Sequence, residues 1–161
     1  MKDPFHTSLR MAQIIVENEG DIEKERLEIY DFACSAPYIL SNSTLPQTAK
    51  KLKKFKRESK ESYSGFQNNA KLFFGQKNVQ ETALRLMLGY DLICKDQIKC
   101  GKIKKTESGA WENILEILQT STSIDKSLIS ALSEELKDMP ISGKNGIKSR
   151  FKVMEHKYDS I

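Results

Sequence analysis

Val79-Gln80-Glu81-Thr82-Ala83-Leu84-Arg85-Leu86-Met87-Leu88-Gly89-Tyr90, running through Leu92-Ile93-Cys94 to Ile98-Lys99-Cys100-Gly101-Lys102-Ile103-Lys104-Lys105, is the stretch that decides the fold. Its first half places Val79, Ala83, Leu86, Met87 and Tyr90 on one face at helical spacing, the pattern of an amphipathic helix docked by one side. Its second half holds two short β-prone runs around Lys95-Asp96-Gln97. A helix succeeded by a minimal β-hairpin is the ending of a winged-helix unit, in which the hairpin, or wing, folds back over the helices. The expectation is a mainly α chain: a helical domain with a winged-helix-like element (a short β-hairpin wing) over residues 1–120, and a C-terminal helical extension over 121–161.

Working outward, Asp3-Pro4 is a strong helix start, because Asp caps well and Pro suits the first helical position. Phe5, Leu9, Ala12 and Val16 then recur every three or four residues, widened by Met11 and Ile15, until Asn18–Gly20 stops the run. Asp21 is expected to cap a second helix bearing Ile22, Leu27, Ile29, Tyr30, Ala33 and Cys34. From Tyr30 to Leu40 nearly every residue is apolar or small, which marks central core re-directed at Pro37. Ser41–Pro46 reads as loop, and from Gln47 a basic helix sets Ala49, Leu52 and Phe55 beneath lysines. A short helix or turn over Phe66–Phe74 points Phe66, Ala70, Phe73 and Phe74 inward. Beyond the wing, Ser108 caps a helix with Trp111, Ile114, Leu115 and Leu118, and Asp125 or Ser123 starts one with Leu128, Ile129, Leu132 and Leu136. Phe151, Met154 and Tyr158 share helical spacing, so a terminal helix that docks on something is expected.

The net charge of +4 matters less than its placement. Lys50, Lys51, Lys53, Lys54, Lys56, Arg57 and Lys60 crowd one segment, while acids gather between Glu17 and Glu28. Such a local field suits nucleic acid or an acidic partner surface, against the plainer reading of a solvated helix face. Lys99, Lys102, Lys104 and Lys105 would decorate the wing in the same sense. On the presumed recognition helix only Gln80 and Arg85 could read base edges, so sequence-specific readout has little to work with.

Catalytic signatures are absent: the chain has no phosphate-binding glycine loop, no nucleophile elbow and no zinc-protease motif. Asp31 is the one carboxylate expected near the core, and a hydrogen-bonded structural role, held by Arg10 or at a helix end, is the simpler reading. His6 and Arg10 sit four residues apart on one helix face, as a partner contact or as a salt link to Asp31. Trp111 is either a docking aromatic or core filling. Cys34, Cys94 and Cys100 lack a framework or zinc spacing and read as free thiols in a reducing cytoplasm. No stretch approaches the length of a membrane span, and the N-terminus lacks the pattern of a secretory signal. No metal or cofactor is expected.

Pro4-Phe5-His6 with Leu9-Arg10, then Arg26-Leu27-Glu28-Ile29-Tyr30-Asp31-Phe32 with Pro37 and Leu40, then Leu88-Gly89-Tyr90-Asp91-Leu92-Ile93, together form a pattern over residues 4–120. It resembles the small middle components of bacterial ABC-three-component systems, which include the small subunit of Lamassu-type anti-phage defence. The resemblance implies a non-enzymatic accessory subunit partnered by an SMC-like coiled-coil ATPase and an effector nuclease, in a complex that senses foreign DNA ends or structures and holds the effector inactive until then, with double-stranded DNA as a further partner. On this view the lysines at 50–60 and on the wing face DNA or an acidic partner, and His6, Arg10, Trp111, Phe151 and Tyr158 are the contact side chains. The competing expectation is a free-standing winged-helix transcription regulator, a homodimer on a defined operator. An enzyme is the third.

Overall fold

Asp3 begins the chain's first helix as its chemistry requires, its carboxylate accepting a hydrogen bond from the Phe5 amide at 3.0 Å. In the computed structural model, which describes residues 3–61 and 68–154 without the side chains of 57–61, α1 spans Pro4–Glu17. The chain leaves α1 through Gly20 at φ +81°, a conformation natural to glycine. A Cβ at Gly20 would stand 3.1 Å from the Lys105 Cβ, so this turn and the later lysine loop are pressed together.

Asp21 does not cap a helix. Asp21–Glu23 is instead a strand, β1, and it pairs antiparallel with β2, Lys102–Lys104, in the register Asp21↔Lys104, Ile22↔Ile103, Glu23↔Lys102. Ile22 and Ile103 are buried opposite one another, and an acid faces a lysine on either side, an arrangement that favours this register. The expected wing is correspondingly smaller than a full hairpin. Its first arm contributes a single bridge, Ile93↔Lys105, with Cys94 N–H donating to Lys104 O at 2.9 Å and Thr106 N–H to Leu92 O at 3.0 Å. Between the arms, Lys95–Ile98 winds into a helical turn, α6. The strand that completes the pairing comes from far earlier in the chain, in the α1–α2 connection.

Helix α2, Lys24–Ser35, is buried at every position from Arg26 to Ala33. A helix covered on all sides belongs in the middle of a fold, and α1, β1, α8 (Lys126–Glu135) and a 3₁₀ turn at Pro37–Asn42 pack around it. Pro37 ends it, as the restriction on the residue before proline demands. Helix α3, Lys50–Glu61, lies on the 3₁₀ turn and α8 with Ala49 and Leu52 fully buried beneath it. Then follow α4 (Asn69–Gly75), α5 (Lys77–Gly89) and α7 (Ala110–Thr120). Helix α1 is the shared neighbour of α2, α5, α7 and α8. One apolar cluster runs from Leu9 to Val153.

Three expectations about inward faces change. Phe5, Phe74 and Tyr90 stand 56%, 37% and 64% exposed, on the outward side of helix ends whose neighbours Phe73 and Met87 are buried. Phe66 lies outside the described residues. Among the described residues the last helix is α9, Ile147–Arg150; Phe151–Met154 do not continue it, because Lys152 at φ +56° turns the chain so that Phe151 and Val153 both enter the core. Tyr158 lies outside the described residues. Among the described residues no helix is long and apolar enough to cross a membrane.

Candidate interaction surfaces

Anchored by Ala49 and Leu52, α3 turns its lysines away from the core. Lys50, Lys51 and Lys54 are exposed, and Lys53 and Lys56 are half-buried. The cluster is not uniform. Lys51 is ion-paired with Glu134 of α8, and that carboxylate raises the Lys51 pKa. Lys56 Nζ donates to Ser43 O at 2.6 Å and so clamps the preceding loop. Lys50, Lys53 and Lys54 have no ion pair among the described residues, and the side chains of Arg57 and Lys60 lie outside them. Lys126, at the start of α8, lines the same surface hollow as Lys51 and Lys54. Sequence reasoning missed it, since Lys126 is remote from Lys54 in the chain and only the packing of α3 on α8 brings them together.

The β2 loop forms a second cationic surface. Lys99, Lys102 and Lys104 are exposed, joined by Lys95 of α6, which sequence reasoning also passed over. Lys105 is not part of it. Its ammonium lies 5.1 Å from the centre of the Trp111 ring, a cation–π contact on the inner side of the loop.

Beneath these surfaces a polar lock ties α1, α2 and α5. Arg10 Nε donates to Asp31 Oδ1 at 2.6 Å, and Gln80 Nε2 donates to Asp31 Oδ2 at 2.8 Å and to Glu28 O at 2.9 Å. Asp31 is wholly enclosed. Burial raises its pKa, opposed by the Arg10 charge and by the hydrogen bonds from Arg10 and Gln80. Glu28 beside it is held by Lys24 at 2.9 Å and by Lys77. Of the two roles open to Arg10, the salt link is the one formed, and its side chain is only 7% exposed. Gln80, a candidate for reading bases, is 1% exposed and committed to this lock. Its position is legible in the sequence: 80, 83, 84 and 87 form the buried stripe of α5. Arg85 is exposed on the opposite face.

Two other expected contact residues are interior. Trp111 is 2% exposed and donates from Nε1 to Leu92 O at 2.9 Å, while Phe151 is 1% exposed, its carbonyl accepting from the Asn69 side-chain Nδ2 of α4 at 2.9 Å. His6 remains half-open on α1. Near it, α1, α5 and α7 leave an apolar groove of about 270 Å³ floored by Leu9, Ala12, Met87 and Leu92.

No curated protein and no solved structure matches the chain. A family model does, described as ABC-three component (ABC-3C) system Middle Component 5, and it spans residues 1–159, the tail included. This chain therefore belongs to the Middle Component 5 family of ABC-three-component systems.

Proposed function

We propose that this middle component is the non-catalytic accessory subunit of a Lamassu-type anti-phage defence complex in the cytoplasm. It bridges an SMC-like coiled-coil ATPase and an effector nuclease, and it lays its lysines along double-stranded DNA. The observation that carries the reading is the pair of lysine surfaces on anchored elements: exposed Lys50 and Lys54 with half-buried Lys53 on α3, and exposed Lys99, Lys102 and Lys104 on the β2 loop. Lys50, Lys53, Lys54 and Lys99 have no acid partner among the described residues, so they are free to meet a phosphate, whereas Lys102 and Lys104 lie opposite Glu23 and Asp21 across the ladder. Contacts of this kind fix position without reading sequence, which suits a subunit that senses the presence or shape of foreign DNA.

The test is co-expression with the ATPase and effector of the same system, followed by duplex binding of the purified complex. Reversing Lys50, Lys51, Lys53 and Lys54 to Glu lowers duplex or partner affinity at least about tenfold. It also flattens the salt dependence by close to one logarithmic unit per lost phosphate contact. The variant stays folded, since these side chains lie outside the core. Unchanged binding refutes the assignment of the α3 surface. A chain that purifies only as a symmetric dimer on a defined operator would favour a winged-helix regulator instead.

A further inference from the structure

Helices α1, α3 and α8 surround a surface hollow of about 560 Å³, and each lines it with one face. Lys54 and Phe55 come from α3, Lys126 and Ser130 from α8, and Gln13 and Glu17 from α1. The α1 pair and the α8 pair are each four residues apart, the spacing that sets one side chain above another on a helix. The hollow thus joins three helix faces that are remote in the chain. Its volume lies within the roughly 300–1,000 Å³ of clefts that hold a small ligand.

Positive charge reaches the hollow from two sides. Lys54 and Lys126 are exposed, belong to different helices and have no ion pair among the described residues. Lys51 is on the same lining but is held by Glu134. Glu17 is the acid of the lining, and it also borders the neighbouring cleft with Glu19, Asp21 and Glu23. With Glu17 set against one lysine and Glu134 against Lys51, the lining still keeps a net positive charge, and such a concavity concentrates anions. Phe55 then discriminates among anions. It is half-buried, packing on the core while also lining the hollow. An inorganic phosphate or the carboxylates of an acidic peptide would use the lysines and leave the phenyl ring idle. A nucleotide uses both, its phosphate meeting the ammonium groups and its base stacking on the ring. Gln13, half-buried on the α1 wall, has no hydrogen bond among the described residues. Its amide both donates and accepts, which suits the edge of a base, where donors and acceptors stand together.

We propose that this hollow takes one unpaired nucleotide of a DNA strand, with the base against Phe55, its edge toward Gln13 and its phosphate between Lys54 and Lys126. The inference rests on the reading of α3 as a DNA surface and deepens it. A base held in a duplex has its faces covered by its neighbours in the stack and cannot reach Phe55, whereas an unpaired base offers a free face. Lysines on the outside of α3 then hold any stretch of backbone, and the hollow adds affinity only where a strand is open.

The probes are a labelled oligothymidine of about eight nucleotides and a labelled blunt duplex, titrated with the full chain by fluorescence anisotropy. Phe55→Leu keeps an apolar side chain on the core and removes the ring, and it weakens oligothymidine binding about tenfold while duplex binding is unchanged. Phe55→Tyr restores the strand affinity. Lys126→Glu weakens strand binding and lowers its salt slope by about 0.7. Circular dichroism confirms that each variant is folded. An oligothymidine carrying 5-iododeoxyuridine crosslinks on irradiation to Phe55, located by mass spectrometry. The proposal is overturned if folded Phe55→Leu binds the strand as the native chain does, or loses strand and duplex alike. Thymidine monophosphate displacing the strand as well as free oligothymidine does would mark a site for free nucleotides and overturn it. A glutamate-rich peptide whose binding depends on the Phe55 ring to the same degree would do so too. A native chain that binds duplex but not strand sinks this inference and leaves the DNA reading of α3 standing; one that binds strand but not duplex does the reverse.

Discussion

Replacing Arg10 with Met removes the cation of the Asp31 lock while keeping a side chain of similar length. Asp31 is fully enclosed, and its 2.6 Å bond from Arg10 and 2.8 Å bond from Gln80 account for both oxygens. Deleting one partner of a buried pair typically costs about 3–5 kcal/mol, since the other charge stays buried and uncompensated. For a chain of this size that is a large share of a total near 5–15 kcal/mol, and it lowers the melting temperature by roughly 6–20 °C. The loss is pH-dependent with a defined sign. Burial holds the folded Asp31 pKa above its ordinary value, with Arg10 and Gln80 opposing. The stability tied to this group is therefore fully present below the unfolded pKa and lost as the pH rises through the folded one. Without Arg10 the folded pKa climbs further, so the variant goes on losing stability over a wider range of pH. The gap between variant and native chain widens with pH by up to about 1.4 kcal/mol per unit within that range, and closes as the pH falls. Urea denaturation followed by circular dichroism, at about pH 5.5 and about pH 8.5, measures it. Adding Asp31→Leu to Arg10→Met removes the stranded charge and recovers much of the loss. A double variant no more stable than the single one, or a gap that widens as the pH falls, refutes the lock as drawn.

Trp111→Phe keeps most of the packing and gives up the 2.9 Å bond to Leu92 O, which still accepts from the Thr106 amide. The expected cost is about 1 kcal/mol of stability, read by thermal melting, with assembly of the complex unchanged. A binding hot spot at Trp111 would instead show as about 2 kcal/mol or more of lost affinity. Gly146→Ala drives a Cβ to within 2.5 Å of Ser142 O and 2.7 Å of Ile141 O, rigid backbone on both counts. It should destabilise by about 1–3 kcal/mol. Gly143→Ala, at φ +95° in open space, should cost about 1 kcal/mol from backbone strain alone. Urea midpoints of the two variants give the order directly, and the reverse order contradicts the turn described.

Helices whose signals are local can be read from the residues themselves. Asp3-Pro4 opens α1, and the carboxylate of Asp125 caps α8 by accepting from the Leu128 amide at 3.0 Å. The helix at α5 is legible from its spacing too, although its buried stripe is Gln80, Ala83, Leu84 and Met87 and shares only Ala83 and Met87 with the expected face. Features that depend on pieces far apart in the chain are hidden from such a reading. The three residues of β1 carry no periodicity, and their pairing with β2 exists only because α1 and α2 deliver Ile22 opposite Ile103. The same holds for the cationic surface: Lys51 is spoken for by Glu134, and Lys126 joins from another helix. Spacing alone points Tyr90 inward, but the spacing of a stripe does not say where its neighbour stops. The buried stripe of α5 ends at Met87, and the tyrosine, just past the end of the helix, is left on the rim of a groove.

The β1–β2 ladder also sets an order of events during synthesis. Nothing can seat Ile103 until residues near 103 have left the ribosome, so Ile22 waits with its neighbours while the intervening chain is added, a delay of several seconds at about 5–20 residues per second. The lysine-bearing loop thus takes its shape only after both halves of the ladder have been made, and α7 and α8, which pack on α1, follow it in the chain. A chain cut short of Lys102 has no partner for β1 and cannot display that loop.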